Sequence, residues 1–252
     1  MPDWGDEMGV AVVTTPRFRS WAVTHPGAKR THNEDAYVDR PDLGIWAVAD
    51  GAGGHAAGEV ASGMIADALQ AIPTGLSAPE LLAQVRLAIE HTHNALREEA
   101  TRRGPDVLVA STVVVMLARG DHFACLWAGD SRAYLLRQGI LRQITRDHSL
   151  VQELLEAGAI GPDEAANHPR GNVITRAVGA ELDEFLLDKV SDRLLSGDRF
   201  LLCSDGLCKT LPETELASLL AAIDGMPAQA VIDAALALDA SDNVTAVMVA
   251  VS

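Results

Sequence analysis

Two runs of helical periodicity stand back to back between blocks of strand-like residues, which limits the folds open to this 252-residue chain. From Glu59 the apolar residues Val60, Ala61, Met64, Ile65, Ala68, Leu69 and Ile72 recur at helical spacing. A second helix is expected over 79–102, with Leu82, Val85, Ile89 and Leu96 on one face. Strand-like runs at 18–23, 36–39 and 44–49 precede the pair. Runs at 112–118 and 122–128, joined by a tight turn at 119–121, follow it. A further hairpin at Gln138-Gly139 makes the middle read as a β-meander. The chain then returns to strand at 199–203, to helices at 212–223 and 227–238, and to a last strand at 244–251. Strands and helices that separate into blocks, rather than alternate singly, predict an α+β class with antiparallel sheet covered by helices.

The connecting segments are less regular. Residues 1–16, acidic at Asp3, Asp6 and Glu7 and closed by Pro16, read as an N-terminal extension. Ser149 with Gln152 makes a capping box that opens a helix which Gly158 can end, and the stretch to Arg170 is rich in Pro, Gly, Asn and His. No apolar run approaches the roughly 20 residues of a membrane span, so no membrane partner and a cytoplasmic location are expected. Cys125, Cys203 and Cys208 form neither a disulfide framework nor a zinc pattern and are expected to be reduced. A formal net charge of −15 repels a phosphate backbone, which argues against nucleic acid as a partner and favours cations.

Four acids share one setting, an apolar strand beside Gly, Asn or another small residue: Asp50-Gly51 after IWAVA, Gly129-Asp130 after FACLWA, Asp205-Gly206 after FLLCS, and Asp242-Asn243 ahead of VTAVMVAV. A strand end delivers a carboxylate to the rim of a sheet with little slack, and a small neighbour lets an ion or a carbonyl approach. Taken singly, each is also an ordinary turn residue. Together with Glu34-Asp35 they resemble an oxygen-ligand site for hard divalent ions such as Mg²⁺ or Mn²⁺. Two such ions about 4 Å apart can share and activate one water in line with a phosphorus atom, and Asp50 is the natural ligand between them. Arg30, on the same loop as Glu34, offers a guanidinium fork for two phosphate oxygens, although alone it also reads as a solvated arginine. His55, in the glycine-rich turn after Asp50, is the candidate proton donor to a departing alkoxide.

The ordered series KRTHNED, WAVADGAGGHAAGE, LWAGDSRAYLL, TRDHSLVQELLEAGAI, NVITRAVG, LLCSDGL and SDNVTAV resembles the bacterial branch of the type 2C (PPM) metal-dependent protein serine/threonine phosphatases. The likeness runs from about Phe18 to Val251 and implies one catalytic domain over 17–252. Its implied fold is two antiparallel β-sheets packed as a sandwich with helix pairs on both outer faces, plus a flap over about 147–174. It implies that Asp50 bridges two Mn²⁺ or Mg²⁺ ions, that Asp205 and Asp242 complete one shell, and that Glu34 with the Gly51 carbonyl helps hold the other. Asp35 would act through bound water, Asp130 would serve a third ion together with Asp205, and Asn243 would orient Asp242 or a metal-bound water. Arg30 would bind the substrate phosphate and His55 would be the general acid. Ala52 departs from the methionine usual in that turn, which leaves every ligand in place but removes bulk beside His55.

The implied activity is hydrolysis of phosphoserine and phosphothreonine on proteins by metal-activated water, opposing a serine/threonine kinase, with a monomer as the expected state. A degenerate binding module would have lost ligands, and every expected position is filled. A two-metal nuclease would carry a basic stripe, which this acidic chain lacks.

Overall fold

The strand-like runs divide between two sheets, because alternate residues along each of them meet different hydrophobic layers. The structure is a computed structural model that describes residues 18–53, 57–181, 185–222 and 227–252. Strands β1 (Phe18–His25), β2 (Asp35–Arg40) and β3 (Ile45–Ala52) lead to helices α1 (Ala57–Gln70) and α2 (Ala78–Arg103). Then come β4 (Ala110–Ser111), β5 (Val113–Arg119), β6 (His122–Ala128), β7 (Arg132–Arg137) and β8 (Ile140–Gln143). Helices α3 (Leu150–Glu156) and α4 (Pro162–Ala166) precede β9 (Asp188–Arg193) and β10 (Arg199–Cys203). Helices α5 (Asp205–Cys208), α6 (Glu213–Ala221) and α7 (Pro227–Ala237) lead to β11 (Val244–Val251).

One sheet has the order β1-β11-β10-β7-β8 and the other β2-β3-β5-β6-β9, with β4 on the end of β3; the strand pairings are antiparallel. Side chains of period two sort the core into layers. Trp46, Val48, Val114, Met116 and Trp127 from one sheet meet Leu135, Phe200, Leu202, Val247 and Val249 from the other. Phe18 with Trp46 and Phe123 with Phe200 cross that interface edge to face, with centroids 5.0 and 4.9 Å apart. The alternate residues Ile45, Ala47, Ala49, Val113 and Val115 pack outward under α1 and α2. Tyr134, Leu201, Cys203, Ala246 and Met248 pack outward under α5, α6 and α7. The result is the four-layer sandwich that the resemblance implied.

Three differences from the sequence reading have physical causes. The expected meander is two hairpins, β5–β6 in one sheet and β7–β8 in the other. The chain changes sheets at Gly129, whose φ of +113° places its Cα against the Thr112 side chain where a Cβ would overlap it. Strand β9 (DKVSDR) escapes a hydrophobic pattern because it is an exposed, charged edge strand. The single turn α5 is too short for any period. The extension at 1–16 and His55 lie outside the described residues. Among the described residues, no helix is long and apolar enough to cross a membrane.

Candidate metal centre

The alternation that fills the sandwich with apolar side chains runs on into polar ones at one end. Trp46 and Val48 on β3 are followed two residues on by Asp50, and Phe200 and Leu202 on β10 by Ser204. Read backward, β11 passes from Val249 and Val247 to Thr245, and β5 from Val114 to Thr112. Asp35 lies opposite Asp50 in the β2–β3 register. Asp50 is pinned by its backbone: its N–H donates to Thr112 Oγ1 (3.1 Å), and its carbonyl accepts from Thr112 N (2.8 Å) and Ser111 Oγ (2.9 Å). Thr112 in turn shares a hydrogen bond with Ser131 (2.6 Å). On the facing sheet Thr245 Oγ1 donates to Asp35 Oδ2 (2.6 Å), while Ser204 Oγ accepts from Thr245 N (3.0 Å).

Charge is crowded here. Burial pushes the Asp50 carboxyl well above the usual carboxylate range, and Asp35, Asp205 and Asp130 push it the same way. Asp35 is raised to about 7, chiefly by burial; hydrogen bonds with Thr245 and Ser204 oppose this, and Asp205 and Asp242 add repulsion. Asp130 is raised to about 6 by burial and by Asp205, with Lys209 opposing. Asp35 Oδ1 and Asp130 Oδ1 are buried with no hydrogen-bond partner among the described residues. Two orphaned carboxylate oxygens in one cluster are a costly arrangement that a bound cation relieves.

The loop between β1 and β2 is held over this cluster by Asn243. Its Oδ1 accepts from Glu34 N (2.8 Å), and its Nδ2 donates to the carbonyls of Pro26 (3.0 Å) and His32 (2.9 Å). The side-chain amide is therefore occupied by the loop, and Asn243 steadies Asp242 only through its backbone N–H (2.9 Å). The amide thus positions the loop bearing Arg30 and Glu34, in addition to the role toward Asp242 or a metal-bound water that the resemblance implies. Gly51 N donates to the Glu34 carbonyl (3.1 Å). A Cβ on Gly51 would overlap the Gly58 carbonyl, and one on Gly58 would press on the Glu34 carboxyl. Glycine at both places lets Glu34 sit between a strand end and the first turn of α1, where the helix dipole favours its charge.

Arg30 closes its fork on Asp242, with Nε–Oδ1 and NH2–Oδ2 both 3.0 Å. The two side chains remain 56% and 44% exposed, so exchanging this pair for another anion costs only about 0.2–1 kcal/mol. Ala52 stays within β3, opposite Ala110 of β4.

Lys209 also joins the cluster, although the sequence did not single it out. Its Nζ donates to Asp205 Oδ2 (2.6 Å), Asp130 Oδ2 (3.2 Å) and Asn172 Oδ1 (3.0 Å). Burial works against its charge, but Asp205 and Asp130 outweigh that and leave its pKa above the usual lysine value. Asn172 belongs to the flap, whose two ends meet at a bridge between Ser149 and Ile174. Arg132 anchors the near end, donating through Nε and NH2 to Asp147 at 2.7–3.1 Å. The spacing from Asp205 to Lys209, one helical turn, was the only available signal.

Among the described residues, no three His, Cys, Asp or Glu side chains already stand in coordinating positions about one point. Their oxygens turn instead to Arg30, Thr245 and Lys209. The donor set nonetheless fits a hard divalent cation: it is all oxygen, it is mutually repulsive, and it includes buried oxygens without partners.

Comparison with known proteins agrees with this geometry. The model of the protein phosphatase 2C family matches residues 27–238. The serine/threonine phosphatase stp of Listeria monocytogenes is 35% identical over 239 residues, covering 90% of this chain and 93% of that protein. PppA of Pseudomonas aeruginosa, described as a key regulatory component of T6SS, superposes with a TM-score of 0.87 at 43% identity, covering 94% of this chain and 99% of that one. The catalytic domain of the serine/threonine protein phosphatase PstP, in complex with two manganese ions, superposes with a TM-score of 0.84 at 34% identity, covering 94% and 99%. With its sandwich, its acid cluster and an alignment along most of its length, the chain belongs to the protein phosphatase 2C family.

Proposed function

We propose that this protein hydrolyses phosphoserine and phosphothreonine on proteins in the cytoplasm, acting as a monomer with Mn²⁺ or Mg²⁺ and opposing a serine/threonine kinase. The observation that carries the reading is the convergence of Asp35, Asp50, Asp130 and Asp205 at one end of the sandwich, two of them with orphaned oxygens, beneath an exposed Arg30 fork. Likeness to a PstP domain holding two manganese ions supports the choice of metal. Asp50 would lie between two ions, Asp205 and Asp242 on one, and Glu34 with the Gly51 carbonyl on the other, with Asp35 acting through water. Divalent ions, when bound, supply an activated water and offset charge on the phosphoryl oxygens.

The chain's own residues do the rest. Arg30 turns from Asp242 to the substrate and takes two phosphate oxygens in its fork. Asn243 keeps the loop under Arg30 and Glu34 in register while that happens. The departing serine or threonine oxygen needs a proton at neutral pH, and His55, by its place five residues after Asp50, is assigned that role. Cys125 and Cys203 are disfavoured as nucleophiles, since burial pushes the Cys125 thiol up, and contact with Cys208 together with burial does the same for Cys203.

Hydrolysis of a phosphothreonine peptide is expected to stop in excess EDTA and return with Mn²⁺, and to exceed hydrolysis of DNA or a nucleotide. Full turnover in chelator, or preference for DNA, would sink the reading.

A further inference from the structure

Within the metal-phosphatase reading above, on which this inference rests, one cation of the chain's own stands where the family likeness would put an ion. The Lys209 ammonium has three donors and no acceptor, and its three partners are Asp205, Asp130 and Asn172 at 2.6–3.2 Å. Asp130 is 2% exposed and the Lys209 side chain 36%, so the ammonium reaches a buried carboxylate from the solvent side of the cluster. A divalent ion between Asp130 and Asp205 would have to share these two carboxylates with Lys209, which already holds the Oδ2 atom of each, and would meet a positive charge already there. The third partner matters separately. Asn172 lies in the flap, just inside the bridge from Ser149 to Ile174, so the ammonium joins the flap to the acid cluster directly.

We propose that Lys209 is a positioning residue that fills the third-ion position with an ammonium and latches the flap to the metal centre. The chain then holds a fixed pair of ions, and the place of the flap depends on an internal charge rather than on a weak, exchangeable ion.

Metal stoichiometry and flap exchange test this on the full chain, by calorimetric titration with Mn²⁺ and by amide hydrogen exchange over 150–173. Wild type is expected to saturate at two ions and Lys209→Met to gain a third. Lys209→Arg, which keeps the cation, is expected to stay at two. Lys209→Gln gives the same comparison with hydrogen bonding retained if the methionine variant unfolds. Flap amides are expected to exchange about tenfold faster in Lys209→Met and in Asn172→Ala. A third ion in wild type, two ions in both neutral variants, or unchanged flap protection in Asn172→Ala would overturn the proposal while leaving the phosphatase reading intact. No Mn²⁺ bound by wild type would overturn both.

Discussion

Asp35 and Asp50 face each other across β2 and β3; burial raises the Asp50 carboxyl, and the charge of Asp35 adds to that. A carboxyl whose pKa in the fold exceeds its unfolded value keeps a proton that the unfolded chain has lost. Its contribution to stability is therefore present at low pH and is lost as pH rises through the window from 3.8 to about 7, set by Asp35 and by Asp130 at about 6. The metal-free protein is expected to melt at a lower temperature near pH 7.5 than near pH 5, and Mn²⁺ is expected to stabilise it more at the higher pH and to release protons on binding. Calorimetry in two buffers of different ionisation enthalpy measures that release; a binding heat independent of buffer contradicts it. At this scale the acids were legible, because a strand end followed by glycine marks them. Their supports were not. Thr245 reaches Asp35 across 210 positions of chain, and Asn243 grips carbonyls more than 200 positions away, so these roles exist only once strand pairing is fixed.

Elements with a strong hydrophobic period are legible in the sequence, and those without one, such as the charged edge strand β9 and the single turn α5, are not. The runs at 199–203 and 244–251 fall on β10 and β11, and the helix expected over 79–102 is α2, opened by Pro79 and by Glu80 accepting from Ser77 N. Ser149 caps α3 by accepting from Gln152 N (3.3 Å), but the Gln152 side chain bonds Glu156 instead of returning to the cap, so only half of the expected box forms. The flap that follows rests on few contacts: α3 buries no residue. Beside the Ser149–Ile174 bridge and the Lys209–Asn172 contact, it is anchored by the Arg132–Asp147 pair, whose side chains are 23% and 11% exposed. Arg132→Ala leaves the Asp147 charge with only the Gln143 amide as partner and is expected to cost about 3 kcal/mol in denaturant unfolding and to raise flap exchange. Loss under about 0.5 kcal/mol would assign the flap another anchor.

For the whole molecule, the layer between the sheets is one of three buried apolar layers, and in it Phe200 is fully buried against Phe123. Phe200→Ala is expected to lower unfolding free energy by about 3–5 kcal/mol with little change in denaturant slope, since the fold is retained and only a cavity is made. A loss under about 1 kcal/mol would place the stabilising layer elsewhere. Antiparallel sheet covered by helices followed from the block order of strands and helices, and the two-sheet sandwich from the family resemblance, but the assignment of hairpins to sheets followed from neither, because two hairpins and one meander have the same local pattern. The bridge from Ser149 to Ile174 has a consequence of another kind. Both ends of the intervening segment leave and re-enter the sandwich at one narrow neck, so the segment is a cassette. Its replacement by the matching piece of a relative leaves every strand register untouched, so chimeras exchanged at that neck, with Asn172 kept for its bond to Lys209, are the direct route to altered substrate choice on an unaltered catalytic floor.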